Sequence, residues 1–147
     1  MAACDECGAR SRDGATCRQQ WDALLALEFS DPRAGSVHFL TVTCYQLQHP
    51  ASFPLTAEAR RWLADALREV IVHARPVATV RDVMHQEWDG SRRVREMTTT
   101  PVPTVRWSAT VADVGEPDPE RHVERVQAWA VAVLGDLDYH EAGGSVC

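Results

Sequence analysis

The chain contains no lysine. All 15 of its basic residues are arginine, set against 21 acidic residues, for a formal charge of -6. Neutralising a phosphate backbone takes a basic surface, so a net-acidic chain is not expected to be a dedicated nucleic-acid binder. The one local exception, Arg92, Arg93 and Arg95, reads as the solvated charge run of a loop. No apolar run approaches the roughly 18 residues that cross a bilayer. The opening Met-Ala-Ala-Cys-Asp-Glu-Cys has neither a basic nor an apolar leader segment, so the expected compartment is the cytoplasm. No internal repeat is visible. What remains is 147 residues with a 45% hydrophobic share, enough for a single domain whose core needs no covalent staples.

Five cysteines make an odd set, and three of them precede residue 20. In a cytoplasmic chain that pattern favours metal binding over a disulfide framework. Cys147 is the last residue and reads as a free thiol, since a prenylation signal would place its cysteine fourth from the end.

Periodicity and capping signals give a helical chain. Residues 1–15 form an irregular knuckle. Thr16 can cap a helix running to about Phe29, and Asp31-Pro32 with Gly35 makes a turn. Ser36 is the expected N-cap of a second helix that ends before Gln48-His49-Pro50. Thr56 leads into a third, with the apolar stripe Ala59, Leu63, Ala66, Leu67, Val70, Ile71 and Ala74. A shorter segment carries Val80, Val83 and Met84. Residues 97–117 read as an extended linker, within which Thr110 to Asp113 allows one helical turn. Asp118 and Pro119 should open the last helix, with Val123, Val126, Ala130, Val133, Leu134 and Leu137 facing inward. The fold class is all-α, four to five helices around one core with an N-terminal zinc knuckle. Its segments are the knuckle 1–15, a hairpin 16–50, helices 56–96, the linker 97–117 and a helix 118–138. Trp62, Trp88, Trp107 and Trp129 are expected as core and rim anchors.

Cys4-Asp-Glu-Cys7-Gly8 has the spacing of a zinc knuckle: two intervening residues let both sulfurs face one ion, and the glycine suits a backbone turning beneath it. The alternatives are an exposed thiol pair with no metal and a thioredoxin-like redox pair; the latter normally follows a strand, and nothing strand-like precedes Cys4. Geometry selects the further ligands. The first two helices are joined by a short turn and should pack antiparallel, setting Cys17 beside His49 at one end and Glu28 beside His38 at the other. On each helix the two marked residues are 11 apart, about 16 Å of rise, so His38 and His49 cannot share an ion unless the second helix breaks. The ligand set is therefore Cys4, Cys7, Cys17 and His49, a closed site for one structural zinc per chain.

Glu28 falls on a stripe shared with Cys17, Trp21 and Leu24, and His38 on one shared with Val42, Tyr45 and His49. A buried carboxylate beside a histidine is costly unless the two share a proton or bind something. The pair reads either as a hydrogen-bonded pin for the hairpin or as a catalytic site of Glu28, His38 and Tyr45. Cys44 lies on the other face with Val37, Leu40 and Leu47 and reads as a core thiol. His73 suits a helix end, and His85, His122 and His140 show no partner at a telling spacing.

Taken together, Cys4-x-x-Cys7-Gly8, Cys17, Glu28 and the run His38-x-Leu-Thr41-Val-x-x-Tyr45-x-x-Gln48-His49-Pro50 resemble a family of small bacterial proteins of unknown function. Trp107-x-x-Thr110-Val111-Ala112-Asp113-Val114, followed by Val126-x-Ala128-Trp129-Ala130, is similar to the end of that family. The resemblance covers most of the chain. It implies the fold and the marked residues, has no cysteine counterpart to Cys44, and carries no activity.

Three functions are open on these grounds. The chain is a zinc-stabilised module that binds a protein or small molecule, a metal-dependent or acid–base enzyme using Glu28, His38 and Tyr45, or a thiol sensor built on Cys4, Cys7 and Cys17. A solvent-open cleft at Glu28–His38 would favour the enzyme, a filled interior the module, and reactive metal-free thiols the sensor.

Overall fold

A computed structural model describes residues 2–87 and 104–143. Arg92, Arg93, Arg95, Trp88, Cys147 and the part of the linker before residue 104 lie outside the described residues. Among those that are described, the chain is helical and has no strand, only the isolated bridges Ala3–Arg10 and Arg12–Ala15 within the knuckle.

Five longer helices and two single turns make up the fold: α1 (Cys17–Ser30), α2 (Pro32–Gly35), α3 (His38–Gln48), α4 (Ala57–Ile71), α5 (Val77–Glu87), α6 (Val111–Val114) and α7 (His122–Glu141). None of them is long and apolar enough to cross a membrane. Thr16 caps α1 through a reciprocal box with Gln19, which satisfies two amides that the first turn leaves free. Thr56 caps α4 by accepting from the Ala59 amide.

Two starts differ from expectation. Asp31 accepts from the Arg33 amide and opens α2, whose end takes up Ser36: the Ser36 hydroxyl donates to the Arg33 carbonyl and does not cap α3. The cap of α3 is Val37, with no side-chain bond. Likewise Asp118 accepts from the Glu120 amide in a turn, and α7 begins at His122, not at Pro119. In both places an aspartate two residues ahead of an amide has made a local turn, which competes with helix capping.

The core gathers Trp21 and Leu24 of α1, Leu40, Cys44, Tyr45 and Leu47 of α3, Leu67 of α4, Val111 and Val114 of α6, and Val126, Trp129, Ala130, Val133 and Leu134 of α7. Cys44 is wholly buried, and that burial pushes its thiol above the ordinary range. On α4 the buried face is Ala59, Ala64, Ala66 and Leu67, with Leu63, Val70 and Ile71 packed at its edge. Ala74 does not extend that stripe; it lies past the helix end, exposed and in a left-handed conformation. Val80 of α5 is buried, whereas Val83 is 41% exposed.

Polar side chains set how α1, α3 and α7 meet. The Trp21 indole donates to the Thr41 carbonyl, and the Trp129 indole to Gln48, whose own amide donates to the Ala109 carbonyl. Each satisfies a buried donor while crossing between elements. Gly35 lets α2 close onto α1, since a Cβ there would stand 2.8 Å from the Glu28 carbonyl oxygen. The α1–α3 hairpin therefore has a defined register. The N-terminal end of α1 meets the C-terminal end of α3, and a different set of groups occupies each end.

Candidate metal centre

At the first end lie Cys4, Cys7, Cys17 and His49, with one ligand atom from each within 4.8 Å of all the others. The knuckle reaches them because its backbone turns sharply: the Gly8 amide donates to the Cys4 carbonyl and the Cys4 amide to the Ala9 carbonyl. Gly8 makes that turn at φ +81°, a conformation that disfavours any side chain. The Ala9 amide then points at Cys7 Sγ, 3.4 Å away. Gln20, buried on α1, donates to the Arg10 and Ala15 carbonyls and fastens the second half of the knuckle.

Cys17 opens α1 and His49 closes α3, so the hairpin register brings them together, with Cys17 Sγ 3.3 Å from His49 Nε2. The imidazole is oriented by its other nitrogen. Nδ1 donates to the Tyr45 carbonyl at 2.7 Å, which leaves the lone pair on Nε2 facing the sulfurs. Cys4 Sγ stands 3.6 Å from the same nitrogen, and Cys7 Sγ 3.6 Å from Cys17 Sγ. Cys7, Cys17 and His49 are buried and Cys4 is partly exposed.

The sulfurs and the imidazole lie within hydrogen-bonding distance of one another. Cys7 bonds to Cys17 and is pushed above the ordinary thiol range, first by that bond and then by burial. Cys17 is drawn down to about 4 by the same bond, with help from His49 and Tyr45 against the cost of burial. For His49 burial is the largest influence and pulls down, but the bonds to Cys17, the Tyr45 carbonyl and Cys4 outweigh it, and the net shift is up.

Tyr45 belongs to this end. Its hydroxyl is 3.7 Å from Cys17 Sγ, and its ring is sandwiched between His49, centroids 3.8 Å apart, and Trp21, 4.1 Å apart. The structure does not bring it to Glu28 and His38. Burial, then the bond to Cys17, pushes its phenol up.

Glu6, inside the Cys4–Cys7 spacer, is a further residue of this end that no ligand spacing marks. Its carboxylate accepts from the Ala51 amide at 2.6 Å and from the Ser52 amide and hydroxyl, which ties the knuckle to the chain just after His49. The knuckle also walls a cleft of about 470 Å³ whose apolar lining includes Leu47, Trp107 and Leu137.

At the other end of the hairpin, Glu28 Oε1 accepts from His38 Nδ1 at 2.9 Å, and Oε2 accepts from Thr41 Oγ1 at 2.5 Å and from His122 Nε2 at 2.6 Å. Glu28 and His122 side chains are each 1% exposed, against 41% for His38. Helix spacing marks Glu28 and His38 but not His122, which arrives from 94 residues away at the first position of α7. No spacing rule could link it. Its one sequence signal is a histidine next to the buried face of a helix start.

No curated protein and no solved structure matches this chain. A family model does, over residues 2–138, and by that match the chain belongs to a family of unknown function (DUF5946).

Proposed function

We propose that Cys4, Cys7, Cys17 and His49 hold one zinc ion in a closed, structural site, and that the protein acts as a binding module organised by it. One observation carries the reading: the four donor atoms lie within 4.8 Å of one another, and three of the distances between them are close to the edges of a coordination tetrahedron. Bonds of about 2.3 Å to sulfur and about 2.0–2.1 Å to nitrogen require edges of about 3.8 Å between sulfurs and about 3.6 Å between sulfur and nitrogen. Cys7–Cys17 and Cys4–His49 are both 3.6 Å and Cys17–His49 is 3.3 Å. Three thiolates and an imidazole are a borderline-soft set that suits zinc, and four protein ligands leave no open position for water. Such a site stabilises; it does not turn over.

The filled Glu28 end favours a module over an enzyme, because a carboxylate with three donors and 1% exposure offers no opening to a substrate. The cleft beside the knuckle is of small-molecule size and shares its wall with the metal-bearing segment. The test is elemental analysis of protein purified without added metal. About one zinc per chain is expected, with tight retention through gel filtration. Folded protein free of metal would overturn the reading, and rapid labelling of Cys4 and Cys17 in that metal-free protein would move it to the thiol sensor.

A further inference from the structure

The cleft of about 470 Å³ beside the knuckle is built from segments far apart in the sequence. The knuckle and the end of α3 form one side, the first two turns of α4 another, and residues 104–107 with the end of α7 close the rest. Much of its wall is apolar: Leu47 and Ala64 are buried, and Trp107 and Leu137 pack at the edge of the core.

The charged side chains on that wall differ in how they are matched. Arg60 is half-buried and Arg61 exposed, and among the described residues neither guanidinium has a hydrogen bond or an ion pair. Arg18, Arg33, Arg68 and Arg75, by contrast, each meet a carboxylate. The acidic residues of the wall do not supply that match. Glu6 gives both its oxygens to Ala51 and Ser52, and Asp5 and Glu141 are exposed to water. A cation partly withdrawn from water without a counter-charge is costly, and a planar guanidinium is shaped to hold a carboxylate through two parallel bonds. Ala57, the first residue of α4, also lines the cleft, so the helix dipole adds positive potential there. The three wall carboxylates limit the guest in turn. They repel each added negative charge, which favours one anionic group over a dianion such as a phosphate monoester.

We propose that this cleft binds an apolar monocarboxylic acid, its carboxylate held by Arg60 and its hydrocarbon body laid against Leu47, Ala64, Trp107 and Leu137. The proposal rests on the reading of the protein as a binding module and names the class of ligand that module takes. It does not depend on the metal.

Isothermal titration calorimetry of the full-length protein tests it, with octanoate as the probe and zinc content measured on the same samples. Octanoate should bind saturably at a single site. Octanamide and octylamine keep the hydrocarbon chain but remove or reverse the charge. Both should bind at least about tenfold more weakly, the low end of what a hydrogen bond to a charged group contributes. Octyl phosphate should bind no more tightly than octanoate. Arg60→Gln should erase the preference for octanoate over octanamide, whereas Arg81→Gln, an exposed charge of α5 outside the cleft, should leave it intact. Ala64→Leu fills the cleft from a helical position and should weaken octanoate and octanamide alike at unchanged Tm. Octanoate binding by metal-free protein would support the proposal while the metal reading failed. Absence of saturable octanoate binding in protein that carries its zinc would overturn the proposal and leave the metal reading standing. Equal binding of octylamine, tighter binding of octyl phosphate, or a carboxylate preference that survives Arg60→Gln would also overturn it.

Discussion

The two ends of the α1–α3 hairpin were built by one rule and finished by two. On each helix the marked residues are 11 positions apart, and at each end a polar residue of α1 meets a histidine of α3. At the Glu28 end the protein supplies its own partners. A carboxylate meets three donors, and every group except His122 Nδ1 and the outer edge of His38 is answered from within. At the sulfur end it does not. Three thiols and an imidazole converge, and the bond between Cys7 and Cys17 draws Cys17 down to about 4 and pushes Cys7 up. Buried polar groups of opposite kind can close on each other, whereas a set of like donors needs a guest. The same hairpin thus carries one self-satisfied cluster and one whose four ligand atoms could hold an ion.

The sharpest way to break this comparison is to remove the guest. Chelation should cost about 4 kcal/mol or more, the linkage contribution of a ligand held at a thousand times its dissociation constant, and should lower Tm in scanning calorimetry. Cys17→Ala should reproduce that loss without chelator. A Tm unmoved by chelation would mean that the sulfur end, too, is satisfied by itself.

Glu28→Ala should come next, at about 3 kcal/mol, because it strands the buried Thr41 and His122 donors, each at a cost of about 1–3 kcal/mol. Glu28→Gln keeps the shape and part of the bonding and should cost less. Both should retain the metal, and loss of zinc from either would show that the two ends are coupled. His38→Ala removes a partner that water can replace and should cost about 1 kcal/mol in urea unfolding, whereas His122→Ala, at a buried position, should cost about 2–3 kcal/mol. Equal costs for the two histidines would contradict the inside-to-outside order of this end.

The smallest effect is expected at Glu6, whose bonds to Ala51 and Ser52 are at the surface. Glu6→Ala should weaken zinc retention under a competing chelator by about tenfold, the usual scale for a group that orients ligands from outside, with little change in Tm.

Much of this contrast was readable in the sequence, because it depends on short-range facts. A short turn forces antiparallel packing, and a rise of 1.5 Å per residue separates His38 from His49. The place of Tyr45 is legible in the same way. It lies four residues from His49 and seven from His38, so its distance along the axis already favoured the sulfurs over Glu28. The exact helix starts were not readable. Ser36 and Asp118 carry the right chemistry for a cap, but each serves a turn just upstream, and the choice between turn and cap is made by packing. His122 was beyond reach, because its role exists only once α7 has docked and nothing local marks a partner 94 residues away.

The central claim is that the two histidines of α3 have separate fates, one completing a metal site and the other a hydrogen-bonded pair. Zinc stoichiometry of the parent protein, His49→Ala and His38→Ala, measured side by side by elemental analysis after gel filtration, tests it directly. About one zinc per chain is expected in the parent and in His38→Ala, with little or none in His49→Ala. A His38→Ala protein that loses its zinc, or a folded His49→Ala protein that keeps it, would contradict the account.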